Sequence, residues 1–185
     1  MGPIISLNVS SAHLFLFGQI GAGKSHCGRF LAQNFGLTFY EGDSEITPAM
    51  RTAIAGHSPF TPQMRLEFTD LLTQRIATLA GGTQNFCIAQ ALFKNRERHL
   101  LRARFPDLAF VWVQADARII AERLRHRSGH VADLAYAEFA NPYFETPDFP
   151  HHVIENDGDE ASLHRQLSLV LQASESIDGN PTNRQ

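Results

Sequence analysis

The most specific chemistry in the chain sits in Gly18-Gln19-Ile20-Gly21-Ala22-Gly23-Lys24-Ser25, a full match to the pattern G-x-x-x-x-G-K-[ST]. Glycines let a backbone curl until several N–H groups point inward at phosphate oxygens. A helix that follows turns its positive end toward the same anion. The lysine supplies a point charge to the β- and γ-phosphates, and the serine hydroxyl is a Mg²⁺ ligand. The pattern therefore assigns Gly18, Gly21, Ala22, Gly23, Lys24 and Ser25 to the phosphates of a nucleotide, with Ser25 also on the metal. Composition sharpens the match: the chain has 16 basic residues, of which only Lys24 and Lys94 are lysines.

A loop of this kind works only between a buried strand and a helix. His13-Leu14-Phe15-Leu16-Phe17 is a short apolar run of the buried-strand type, and Gly23 to Phe35 reads as a helix ended by Gly36. The same alternation continues down the chain. Further strands are expected near 37–40, 85–89, 108–113 and 152–154. Helices are expected near 44–55, 61–79, 94–104, 116–127 and 159–173. Strand-helix alternation with apolar strands implies an α/β fold: a parallel, five-stranded sheet covered by helices on both faces, with ligands at the carboxyl ends of the strands. Residues 128–150, with prolines at 142 and 147 and weak periodicity, read as a mobile lid, and 175–185 as a flexible tail on a single domain spanning 1–174.

Candidate residues cluster where those strands end. Asp43, at the end of the second strand, is placed to accept the proton of an attacking hydroxyl and orient it in line; it also suits a helix N-cap, and the two roles are compatible. Glu41 is placed to reach Mg²⁺ through water. Lys94 starts a helix, where its charge opposes the helix dipole, so it reads either as a substrate ligand or as a snorkelling surface residue. Arg123 and Arg127 stand i,i+4 on the helix leading into the lid; one can stack on adenine and the other can swing onto the transferring phosphoryl group. The arginine-rich face from Arg96 to Arg104 reads as a solvated helix surface.

The rest of the composition narrows the class. The chain of 185 residues has a net charge of −3, which argues against nucleic acid or an anionic membrane as a partner. No apolar run reaches the roughly 18 residues of a membrane helix, and no basic residue precedes the first apolar stretch, so the cytoplasm is the expected location. Cys27 and Cys87 read as buried free thiols. No N-K-x-D guanine motif follows a later strand, and the candidate strands end in Gln90 and Gln114 rather than an Asp-Glu pair. GTPases and large ATPases are thereby disfavoured, and a small kinase remains.

At this point the sequence resembles the shikimate kinase and gluconokinase group of small P-loop kinases. Gly28-Arg29-Phe30-Leu31-Ala32 and Gly36-Leu37-Thr38-Phe39-Tyr40 are similar to shikimate kinase. Tyr40-Glu41-Gly42-Asp43, Ala55 through Thr61 with Arg65, Ala121-Glu122-Arg123-Leu124 and Arg127-Ser128-Gly129-His130 are closer to gluconokinase. The resemblance implies the P-loop NTPase three-layer α/β/α fold and a kinase using ATP and Mg²⁺. It implies His26 near the α-phosphate, Asn156 lining the adenine, and Arg65 gripping an anionic acceptor by a bidentate fork. The catalytic set is then Lys24, Asp43 and Arg127, and the acceptor set Asp43, Arg65 and Lys94. The acceptor implied first is a sugar acid such as gluconate, with shikimate or a nucleoside monophosphate as alternatives. A nucleotide-binding module without acceptor chemistry is a further reading, since Ile46-Thr47-Pro48 lacks the family's histidine and Gln63-Met64 stand where its acidic residues usually do. Partners are small molecules only, in a monomer or homodimer.

Overall fold

A computed structural model describes residues 12–82, 85–126 and 132–178, the side chains of 175–178 excepted. The first strand, β1 (His13–Phe17), enters the phosphate loop, and α1 (Lys24–Phe35) leaves it. There follow β2 (Thr38–Glu41), a 3₁₀ turn (Gly42–Glu45), α2 (Pro48–Ala55), α3 (Pro62–Ala80) and β3 (Phe86–Ala89). The second half runs α4 (Asn95–Arg104), β4 (Ala109–Gln114), α5 (Ala117–Arg125), α6 (Leu134–Ala140), a second 3₁₀ turn (Asn141–Tyr143), β5 (His152–Glu155) and α7 (Glu160–Asp178). The five strands form one parallel sheet in the order β2-β3-β1-β4-β5.

Period-two alternation in β1 builds both layers. Leu14 and Leu16 face a core completed by Cys27, Leu31, Leu167 and Leu171 from α1 and α7. Phe15 and Phe17 face the opposite core, filled by Phe68, Leu72 and Ile76 of α3 and Leu101 of α4. These four β1 side chains are fully buried, as a central strand between two helical layers requires.

Three sequence expectations are refined. The helix expected over 44–55 is interrupted because Thr47 accepts a hydrogen bond from the Met50 N–H and Pro48 opens a new first turn, leaving Asp43 in a 3₁₀ turn. The stretch read as a lid contains α6, and its second half is pinned to the core through Phe144 and Phe149. Phe149 is buried against Phe17 and Phe110, and Glu145 N–H donates to the Phe93 carbonyl at 2.9 Å. Finally, α7 continues to Asp178, past the expected start of the tail at 175. Arg127, the first residues of the expected lid and the tail from 179 onward lie outside the described residues. Among the described residues no helix is long and apolar enough to cross a membrane.

Candidate active site

The phosphate loop uses backbone conformations that side chains disfavour. Gly18 has φ +150° and Gly23 φ +95°. A Cβ on Gly18 would lie 2.2 Å from the Val113 carbonyl oxygen, and one on Gly23 would lie 2.0 Å from Asn156 Nδ2. The loop closes directly onto α1, whose first turn carries neither a capping side chain nor an acidic residue. Its N–H groups are thus left for an anion. Lys24 Nζ donates to the Gln19 carbonyl at 2.7 Å, folding across the loop it serves.

Distant residues hold this loop. Asn156, nearly fully buried after β5, donates from Nδ2 to the Ala22 carbonyl at 2.9 Å. Arg123 of α5 donates to Ala22 O at 3.3 Å and to Asn156 O at 2.6 Å. Asn141, just after α6, accepts from Ile20 N–H at 2.9 Å and donates back to Ile20 O at 3.0 Å. Asn156 and Arg123 therefore stand behind the loop as its supports. His26 is exposed on the first turn of α1, and its pKa is lowered first by partial burial and then by the charges of Arg123 and Arg29.

In front of the loop lies a cavity of about 210 Å³. Lys24, Ser25, Glu41, Asp43, Arg65 and Lys94, six residues singled out from sequence, all line it, together with Gln90 and Glu97. The remaining wall is mainly apolar, including Phe60, Phe68, Phe93, Tyr136 and Phe139. Asp43 does not cap a helix; its Oδ1 accepts from Gln90 Nε2 at 3.0 Å. The Gln90 side chain is oriented in turn by Ala91 N–H, which donates to its Oε1 at 2.6 Å. The Glu41 carboxyl is held above its ordinary range by burial. The Ser25 hydroxyl, hydrogen-bonded to it, opposes that shift, and the Asp43 charge adds to it. Arg65 donates to the Phe60 carbonyl, and its Nε lies 3.7 Å from Glu97 Oε1. Lys94 pairs with Glu145 at 3.1 Å.

The sequence reading missed Glu97, Arg98, Asn141 and Gln90. Arg98 corrects the expectation of a solvated α4 face: it is fully buried, and burial pulls its pKa down to about 10. An apolar α4 stripe of only Leu101 with Leu108 beyond it was the available signal, too thin to cover the sheet without Arg98.

A loop of this geometry at the tip of the central strand of a parallel sheet is the mark of a phosphate-binding fold. The family described as AAA domain matches residues 14–141. The chain belongs to that family. The chain is 28% identical over 158 residues to a shikimate kinase of Rhodopseudomonas palustris, covering 84% of this chain and 70% of that protein. It is 26% identical over 133 residues to the thermosensitive gluconokinase of Escherichia coli, covering 71% of each. A gluconokinase structure from Sinorhizobium meliloti superposes with a TM-score of 0.74 at 23% identity, covering 91% of this chain and 97% of that one. The P-loop α/β/α fold is thereby shared.

Proposed function

We infer that the protein is an ATP-dependent small-molecule kinase that moves the γ-phosphoryl group to a hydroxyl of a polar metabolite, with a sugar acid such as gluconate as the acceptor. One observation carries the reading. Asp43, a carboxylate held in a fixed orientation by Gln90, shares a single cavity with Lys24 and Ser25 of the phosphate loop. A phosphate-binding loop alone would serve a binding module; a base beside the emerging γ-phosphate serves transfer. Curated relatives carrying gluconokinase and shikimate kinase names support the same class.

The steps follow from the chain's own residues. Backbone N–H groups of 18–23 and the α1 N-terminus hold the phosphates, and Lys24 turns from Gln19 O to the β- and γ-oxygens. Asp43 takes the proton of the acceptor hydroxyl; the hydroxyl oxygen forms a bond to the γ-phosphorus; the bond from that phosphorus to the β,γ-bridging oxygen breaks, and ADP leaves. Arg127, following α5 in sequence, is assigned to the charge spreading over the transferring group. Ser25, with Glu41 hydrogen-bonded to it, is a hard oxygen set that suits Mg²⁺, which usually takes one or two carboxylates and completes its shell with phosphates and water. When bound, the ion neutralises charge on the β- and γ-oxygens.

At the acceptor end, Lys94 is the cation most easily recruited. Its pair with Glu145 is partly exposed on both sides, so an acceptor carboxylate exchanges with Glu145 at little cost. The aromatic wall of Phe60, Phe93, Tyr136 and Phe139 also suits a carbocycle, which keeps shikimate as the second acceptor. The reaction is assigned to the cytoplasm, with nucleic acid and membranes outside its partners.

The test is ADP formation with ATP and Mg²⁺ against gluconate, other sugar acids, shikimate and nucleoside monophosphates. Gluconate should stimulate turnover severalfold over ATP alone, and Lys24→Ala should abolish it. Tight ATP binding with no stimulation by any acceptor would replace the kinase by a nucleotide-binding module.

A further inference from the structure

Glu97 is a buried carboxylate whose hydrogen bonding is incomplete. It lies in the first turn of α4, is 3% exposed and lines the cavity that holds Asp43 and Lys94. Its Oε1 faces Arg65 Nε at 3.7 Å, which is an ion pair but too long for a hydrogen bond. Its Oε2 is buried with no donor among the described residues. A buried acceptor left in this state costs its full desolvation penalty, so it requires a reason.

The Arg98 donors beside it are committed elsewhere. Arg98, the next residue, donates to the carbonyls of Leu92, Phe93 and Glu145 and to Asn95 Oδ1. Arg65 also donates to the Phe60 carbonyl. The fold therefore builds a cavity wall with an acceptor atom whose donor must enter from the cavity. Its Oε2 is closed to solvent in the free protein, so a ligand hydroxyl reaches it only as the Glu97 carboxyl turns toward the cavity it lines.

Resting on the kinase reading above, we propose that Glu97 is a specificity-determining residue that accepts a hydrogen bond from a second hydroxyl of the acceptor, distinct from the one phosphorylated at Asp43. A neutral O–H fits better than an ammonium group, because the Glu97 charge is already offset by Arg65. The acceptor is thus at least a diol: one hydroxyl at Asp43, another at Glu97, with any carboxylate directed to Lys94. A site built around a buried acceptor atom rejects an analogue lacking the matching hydroxyl far more strongly than it rejects a change in apolar bulk.

The experiment compares wild type, Glu97→Gln and Glu97→Leu, using gluconate and shikimate with their mono-deoxy analogues. Thermal midpoint and ATP titration establish that each variant is folded; if Glu97→Leu fails to fold, Glu97→Gln carries the comparison. For one hydroxyl position, the deoxy analogue should lose about a hundredfold in kcat/KM with wild type. The same loss should shrink below about threefold with Glu97→Leu and be intermediate with Glu97→Gln, which keeps an acceptor oxygen. Equal deoxy losses in wild type and Glu97→Leu overturn the proposal while leaving the kinase reading intact. If no acceptor stimulates wild-type turnover, the kinase reading fails, and calorimetry with gluconate decides for Glu97: binding heat lost in Glu97→Leu supports it, and heat unchanged or absent in both proteins overturns it.

Discussion

Asp43→Asn isolates proton abstraction from every other property of the site. The two side chains have the same shape. Gln90 presents Nε2 to Asp43 at 3.0 Å, and it cannot flip without breaking the 2.6 Å bond from Ala91 N–H to its Oε1. An asparagine at 43 must therefore turn its carbonyl oxygen to Gln90 and its NH₂ toward the cavity. The substitution keeps the local hydrogen bond but replaces a proton acceptor by a donor at the point where the attacking hydroxyl sits. Loss of a positioned base lowers rate by 10²–10⁴-fold, which corresponds to about 3–5 kcal/mol of barrier. ATP affinity should stay within about threefold, because Lys24 and the loop amides are untouched. A coupled assay of ADP release at saturating ATP and acceptor measures the first quantity, and calorimetric ATP titration the second. A variant with kcat within fivefold of wild type would show that Asp43 is not the base.

Gly28→Ala should destabilise the fold, since the added Cβ would lie 2.2 Å from Phe39 Cε2; overpacking of this kind costs about 1–3 kcal/mol, which calorimetry would read as a melting temperature lower by several degrees. Glu41→Gln should act in the opposite direction on the ligand-free protein. Burial raises the Glu41 pKa in the fold, so its stabilising contribution is complete below the unfolded carboxyl range and is lost as pH rises through the folded value. The variant should therefore melt higher than wild type at pH 7, with the gain vanishing below about pH 4, and should bind Mg²⁺-ATP more weakly. A lower melting temperature at pH 7 would contradict that sign. Cys27 and Cys87, each pushed up to about 12 by burial, should resist iodoacetamide in the native protein and react fully in denaturant, as intact mass would show.

What the sequence disclosed follows from the range of the forces involved. The phosphate loop is legible because its requirements are local: positive φ at Gly18, Gly21 and Gly23, a strand before and a helix after. The five strands are legible because buried parallel strands need unbroken apolar runs. The tethers were hidden because they join residues far apart in the chain. Asn141 meets Ile20 across 121 positions, and Asn156 meets Ala22 across 134. In the sequence Asn141 stands as an ordinary polar residue near a turn, and the resemblance directs Asn156 to the adenine rather than to the loop. Aromatic spacing alone likewise could not separate α6 from the stretch after it. Phe144 and Phe149 belong to the core only because Phe17 and Trp112 stand opposite them on the sheet.

Arg98 shows how these hidden contacts shape the acceptor site. A fully buried guanidinium is tolerated only when its donors are satisfied, and this one bonds four oxygens with its faces covered by the rings of Phe17 at 4.8 Å and Phe144 at 4.4 Å. Three of those oxygens are carbonyls of Leu92, Phe93 and Glu145, so the arginine fixes both the turn entering α4 and the chain leaving α6. That turn carries Lys94, and the first helical turn after it carries Glu97. Glu145, anchored through its backbone, then takes the α4 N-terminus as a ligand: its Oε2 accepts from Asn95 N–H at 2.7 Å and its Oε1 from Lys94 Nζ. At its other end the same segment holds the phosphate loop through Asn141. One stretch, 141–145, thus ties the nucleotide end of the cavity to the acceptor end, through the Asn141 side chain at one end and the Glu145 carboxylate at the other.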